Sequence, residues 1–264
     1  ARGMAGAAVI AARAALRAGA GLVKVMVAPE SVAVVQQAVP EAIAAAWPAD
    51  DESARRELAE WAHGVLLGPG LGHGSRALVE RVLAATRAPA VLDADALNAF
   101  AGDAAAMSAH LAGRPALLTP HPGEMARLVG MRVEDVEPLR GEVGSLLADR
   151  TGAAVLFKGV PTILAGRLRA GFVSATGTPA LAAGGSGDLL AGLAATLVMQ
   201  RGEALESGAC AAWLHGRAAE LASANGVRGT LLADVLEALP QAWREPVAAH
   251  PYPVLAMLPA VPRA

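Results

Sequence analysis

The sequence predicts an α/β protein of three layers, α/β/α, built on a central, mostly parallel sheet. Three observations carry that expectation. Short runs of Val, Leu and Ala alternate with helical patterns of ten or more residues, as βαβ units do. The 264 residues suffice for one large core, and neither an internal repeat nor a linker divides residues 1–240. Glycine or polar clusters follow several strands, which is where open α/β sheets place a ligand crevice.

The elements follow in order. Residues 8–17 are good helix formers stopped at Gly19-Ala20-Gly21. Residues 22–28 read as a buried strand closed by Pro29, 31–37 as a short helix and 42–46 as a weak edge strand. A polar helix at 52–61 precedes an apolar strand at 64–67. Helices at 75–86, 103–111, 124–129 and 133–150 then alternate with strands at 90–93, 115–119 and 153–157. Two further strands, 162–165 and 168–173, are joined by a turn. Helical patterns at 187–199, 204–224 and 231–239 close the body. From Pro240 onward, prolines at 246, 251, 253 and 262 predict an irregular extension over 241–264.

Composition narrows the function classes. Hydrophobic residues make up 54% of the chain but aromatics only 3%, so the core must pack Ala, Val and Leu closely. A net charge of −2, with both signs intermixed, argues against nucleic acid or an anionic membrane as partner. No apolar run approaches the roughly 18 residues that span a bilayer, and Arg13, Arg17 and Lys24 break up any secretory pattern. The single Cys210 leaves no internal disulfide or multi-cysteine zinc site and fits a reducing cytoplasm. Lys24 and Lys158 are the only lysines and Asn98 and Asn225 the only asparagines, a bias expected of GC-rich coding.

The strand-end motifs carry the chemistry. Gly68-Pro69-Gly70-Leu71-Gly72 lets backbone approach a ligand closely, or serves as a plain strand-to-helix turn. Asp93 and Asp95 suit a metal's waters or a ribose, and Asp95 equally suits a helix cap. In His121-Pro122-Gly123-Glu124, Pro122 fits a first helical turn and Glu124 its dipole, while two prolines stiffen His121. Lys158, ending a buried strand before Gly159, needs an anion: a nucleotide phosphate or a structural carboxylate. The sharpest motif is Gly184-Gly185-Ser186-Gly187-Asp188, a glycine-rich turn whose N–H groups converge on an anion at a helix N-terminus. Asp188 there would repel a phosphate unless it accepts the proton of an attacking hydroxyl; a plain helix start is the alternative. The spacing is not that of a Walker loop.

A glycine-rich loop ending in Gly187-Asp188 at a late helix resembles the ribokinase-like superfamily. With Gly6-Ala7, the stretch 17–23, Gly68–Gly72, 93–98, 121–124 and Lys158-Gly159 in order, the chain more narrowly resembles the ADP-dependent (S)-NAD(P)H-hydrate dehydratases, a carbohydrate-kinase-type family, over about residues 4–239. That resemblance implies a ribokinase-like fold and a cofactor-repair reaction. The S form of NADHX or NADPHX, the hydrates of NADH and NADPH, would be dehydrated at the cost of ADP or ATP, releasing AMP or ADP and phosphate. It implies Asp188 as base, with Ala7, Gly72, His121 and Asp188 lining the hydrate site. Lys158, Gly159, Val160, Pro161, Thr162, Gly184, Gly185, Ser186 and Gly187 would bind the nucleotide, and Mg2+ would bridge its phosphates. A cytoplasmic homo-oligomer, a homotetramer, working beside an NAD(P)H-hydrate epimerase is the implied setting.

The chain departs from that pattern in two ways. Family members usually place a strand and a glycine-rich turn before Gly6, so an open hydrate site and a bare sheet edge are expected here. Thr178-Pro179-Ala180 stands where the family often has Asn-Pro-Gly, which removes a side-chain amide near the phosphates. Two other readings use the same loop: a small-molecule kinase acting on a vitamin-precursor alcohol, and a nucleotide-binding protein without turnover.

Overall fold

A computed structural model describes residues 3–48, 50–244 and 255–258. The chain opens with helix α1 (Ala5–Arg17), then strand β1 (Lys24–Val27), helix α2 (Val32–Ala38), strand β2 (Ile43–Ala46) and helix α3 (Asp51–Trp61). Strands β3 (Val65–Leu67), β4 (Ala90–Leu92), β5 (Ala116–Leu118) and β6 (Ala154–Phe157) follow. Between them lie α4 (Arg76–Ala85), α5 (Ala94–Asn98), α6 (Ala104–Leu111), α7 (Pro122–Val129), α8 (Val133–Val136) and α9 (Arg140–Thr151). After the hairpin of β7 (Thr162–Gly166) and β8 (Arg169–Ser174) come α10 (Ser186–Arg201), α11 (Ala204–Ala222) and α12 (Leu232–Ala242), and finally β9 (Leu255–Leu258).

The main sheet runs β3-β4-β5-β6-β7-β8-β9, while β1 and β2 pair in parallel as a small separate sheet. β3 through β6 are parallel, and β7, β8 and β9 add antiparallel. The two-residue side-chain period of each strand explains the layers. Val91, Leu117 and Leu156 point to one face and meet α1, α10, α11 and α12. Leu92, Leu118, Val155 and Phe157 point to the other and meet α4, α5, α6, α7 and α9. All of these strand residues are at most 1% exposed. The expected three-layer α/β/α fold on a mostly parallel sheet is present.

Three expectations need correction. The predicted helix 133–150 is two helices, because Pro138 lies between α8 and α9 and cannot donate within a helix. Pro240 does not start the tail: α12 runs through it to Ala242, since only the last turn loses a bond. Within the extension, 255–258 pairs with β8 as a strand; the rest of 245–264 lies outside the described residues. The five-residue α5 was too short for periodicity to reveal.

The parallel strands all end at one rim, and the antiparallel turn of β7 returns β8 to the same rim, with Thr162 opposite Ser174. The strand-end motifs after residue 67, at the ends of β3, β4, β5 and β6, therefore lie along one edge of the sheet.

Candidate active site

At the end of β3 the turn is dictated by close approach. Gly68 has φ +129°, and a Cβ there would lie 1.7 Å from the Asp93 carbonyl oxygen. Gly70, at φ +70°, sits against α1: a Cβ would be 2.5 Å from the Met4 carbonyl oxygen and 3.5 Å from the Ala7 methyl. Ala7 is thereby brought beside this turn. Gly72 donates its N–H to Asp95 Oδ2 at 2.7 Å. A cavity of 240 Å³ opens between Gly72–Arg76 and Asp95, Asn98 and Ala99.

Asp93, not Asp95, takes the N-cap position of α5, yet its side chain makes no cap bond. Its Oδ1 instead accepts from Thr119 Oγ1 and from Lys158 Nζ, each at 2.8 Å. Asp93 is 1% exposed, so its charge needs that ammonium. Glu124 Oε2 lies 3.8 Å from the same Nζ. Burial alone would push the Lys158 ammonium down, but Asp93 and Glu124 outweigh it and hold it above the ordinary lysine range. The structural carboxylate expected beside Lys158 is Asp93.

His121 caps α7. Its Nδ1 accepts from the Gly123 N–H at 3.0 Å, and Glu124 Oε2 accepts from the His121 N–H at 2.8 Å, closing a capping box. An accepting Nδ1 puts the neutral imidazole's proton on Nε2, which faces Glu124 Oε1 at 3.4 Å. Partial burial, then Lys158 and Arg127, lower the His121 pKa. Burial raises that of Glu124 against the pull of Lys158. The half-exposed imidazole is thus neutral and fixed at the rim.

Facing these strand ends is the start of α10. Gly185 is its N-cap at φ +90°, where a Cβ would meet Ile10 at 2.7 Å and Leu232 at 3.0 Å. A Cβ on Gly187 would come 3.3 Å from Lys158 Nζ and 3.9 Å from Asp93 Oδ2, so the glycine loop and the strand-end ion pair are in direct apposition. The first intrahelical bond is Leu189 N–H to Gly185 O. The amides of Gly187 and Asp188 therefore precede the helical ladder and point outward with the positive end of the dipole. Burial, with Asp93 and Asp95 adding repulsion against the pull of Lys158, raises the Asp188 carboxyl from 3.8 to about 6. Such a carboxylate is a stronger base than an ordinary one and is still ionised at neutral pH.

Two supports were not legible beforehand. His215, 7% exposed on α11, has its Nε2 3.3 Å from Ser186 Oγ; burial, then Lys158, lowers its pKa to about 4, so it supports the loop as a neutral ring. Arg140, at the start of α9, donates to the carbonyls of Phe157, Lys158 and Pro161. Its helical setting amid mixed charges hid that role. Thr178, the departure noted above, turns its hydroxyl to the Ala180 N–H and to Ser223. Among the described residues no group of three or more His, Cys, Asp or Glu is placed to hold a metal ion, and no helix is long and apolar enough to cross a membrane.

A family model described as NAD(P)H-hydrate dehydratase matches residues 1–241. The chain belongs to the NAD(P)H-hydrate dehydratase family. A member from Moorella thermoacetica, the bifunctional NAD(P)H-hydrate repair enzyme Nnr, is 36% identical over 256 residues, covering 92% of this chain and 47% of the relative. The chain thus spans about half the length of the curated relatives it matches. The dehydratase from Bacillus subtilis, a solved structure named as ADP/ATP-dependent and co-crystallised with ATP/Mg2+, superposes with TM-score 0.73 at 26% identity, covering 92% and 88% of the two chains. A ribokinase-like superfamily protein from Enterococcus faecalis, at TM-score 0.75 and 24% identity over 91% and 82% of the chains, shares the fold. In this dehydratase-family chain the site that had been assembled from separate motifs is continuous: Ala7 adjoins the Gly70 turn, Gly72 holds Asp95, and Asp95 and Lys158 both act on Asp188.

Proposed function

We propose that this chain dehydrates the S form of NADHX and NADPHX to NADH and NADPH, using ADP or ATP. The observation that carries the reading is Asp188, a carboxylate raised to about 6 in the first turn of α10, where amides gather to hold a phosphate. In this reading Asp188 takes the proton from the C6 hydroxyl of the hydrate. The freed oxygen attacks the terminal phosphorus, and the bond to the leaving AMP or ADP breaks. Phosphate then departs from C6 as the ring nitrogen's electron pair pushes in, and loss of a C5 proton restores the ring double bond. Hydroxide is a poor leaving group and phosphate a good one, which is why a kinase scaffold suits a dehydration.

Gly184 to Gly187 cradle the transferred phosphate, Lys158 to Thr162 line the nucleotide, and Ala7, Gly72 and His121 line the hydrate. The residues present fit a magnesium carried on the nucleotide's phosphates and waters rather than one caged by protein; when bound it would neutralise phosphate charge. We read residues 1–240 as one domain, acting in the cytoplasm as a homo-oligomer. An NAD(P)H-hydrate epimerase would be its functional partner, since the matched relatives are named bifunctional.

The test is recovery of reduced-nicotinamide absorbance from the hydrate with each nucleotide. Asp188→Asn should lower kcat by about a hundredfold or more while nucleotide affinity stays near the wild-type value. A phosphorylated alcohol accumulating without recovery would mark a kinase, and binding without turnover a silent nucleotide-binding protein.

A further inference from the structure

Arg140 is a charged residue in a place that opposes it. It is the first residue of α9, at the positive end of the helix dipole, and only 9% exposed. Its contacts explain its presence. The guanidinium lies 4.1 Å from the centroid of the Phe157 ring and pairs with Glu137 Oε2 at 2.8 Å. Nη2 donates to three carbonyl oxygens of one turn: Phe157 at 3.2 Å, Lys158 at 3.1 Å and Pro161 at 3.1 Å. Gly159 wraps against it, since a Cβ there would fall 2.4 Å from Nη2.

The peptide plane turns this grip into a statement about donors. In a trans peptide the C=O and the following N–H point in opposite directions. With the carbonyls of Phe157, Lys158 and Pro161 drawn inward to Arg140, the N–H groups of Lys158, Gly159 and Thr162 are directed away from it. The Lys158 N–H is taken by Pro120 O. The Thr162 N–H lies in the β7–β8 ladder opposite Ser174, whereas that of Gly159 faces the open side of the turn, where Gly159 is exposed and Val160 is 100% exposed.

We propose that Arg140 is the positioning residue of the nucleotide turn: by holding three carbonyls from behind, it aims the Gly159 amide at the nucleotide. A lysine ammonium here would keep the charge but lose the planar group that stacks on the Phe157 ring while its Nη2 bonds the carbonyls. This rests on the nucleotide reading of residues 158–162 given above.

The experiment measures ADP and ATP affinity by calorimetry, and hydrate KM by absorbance recovery, for wild type and Arg140→Ala, with Arg140→Lys as the variant if alanine does not fold. Nucleotide affinity should fall on the order of tenfold to a hundredfold while hydrate KM stays within about twofold, and millimolar guanidinium should recover part of the loss in the alanine variant. Gly159→Ala should weaken nucleotide binding more in the presence of Arg140 than in its absence, because the added methyl meets the guanidinium. Unchanged nucleotide affinity, or equal loss for both substrates together with a fall in Tm, would overturn the proposal. A wild-type protein that binds neither nucleotide would overturn the nucleotide reading itself.

Discussion

Asp188 is held in a state that costs the fold. Its carboxyl is raised from 3.8 to about 6 by burial and by Asp93 and Asp95, so between those values the folded chain binds more protons than the unfolded one. Stability therefore falls as pH rises through that window, and the full cost is present above about 6. Asp188→Asn should remove it, stabilising the protein on the order of 1–2 kcal/mol at pH 8 after discounting for solvent screening, with little gain near pH 4. Chemical denaturation at the two pH values checks this, and an equal effect at both would mean that the charge is not the cause. The same carboxyl sets the acid limb of kcat/KM. Wild type should lose activity as pH falls through about 6, and Asp93→Asn, which removes a repelling charge, should move that limb to lower pH. A pH–rate profile that does not move would place the titration elsewhere. At this scale the sequence was informative where chemistry is unusual: Asp188 after three glycines, and Lys158 in a chain almost without lysine. It was silent on Arg140 and His215, whose roles depend on carbonyl and hydroxyl partners 17 to 29 residues away.

At the scale of elements, α10 is positioned by its contact with α1. A Cβ on Gly192 would lie 2.2 Å from the Ala11 carbonyl oxygen and 2.9 Å from the Ala14 methyl, and Thr196 Oγ1 reaches the Ala15 carbonyl at 3.3 Å. The two helices touch backbone to backbone, which an alanine-rich sequence permits. Gly192→Ala should cost about 1–3 kcal/mol through overpacking and should lower kcat as well, because the same helix carries Asp188 at its start. Loss of stability in urea with kcat untouched would show that α10 absorbs the strain before its first turn. Most helices and strands were legible from periodicity and glycine stops. The exceptions have local causes: α5 spans little more than one turn, Pro138 splits what composition alone reads as a single helix, and β9 is a short strand within a proline-rich stretch.

For the whole molecule, strand–helix alternation predicted the layers, and the rim on which the motifs assemble followed from parallel topology. What sequence could not supply was the join between motifs that are far apart in the chain. That join is Asp93. Its N–H donates to Leu67 O at 3.0 Å, its carbonyl covers Gly68, and its carboxylate holds Thr119 and Lys158. One buried residue thus ties together the ends of β3, β4, β5 and β6. Its consequence is kinetic. The rim has no loose strand end to fray separately, so the amides of Asp93, Thr119 and Lys158 should exchange with deuterium at one shared opening free energy, whereas the outward amides of Gly159 and Gly187 should exchange early. Staggered exchange of the three would mean that Asp93 does not couple them. With the three coupled, a ligand meets the outward amides of the glycine turns first, and the catalytic edge behind them opens as a unit or not at all.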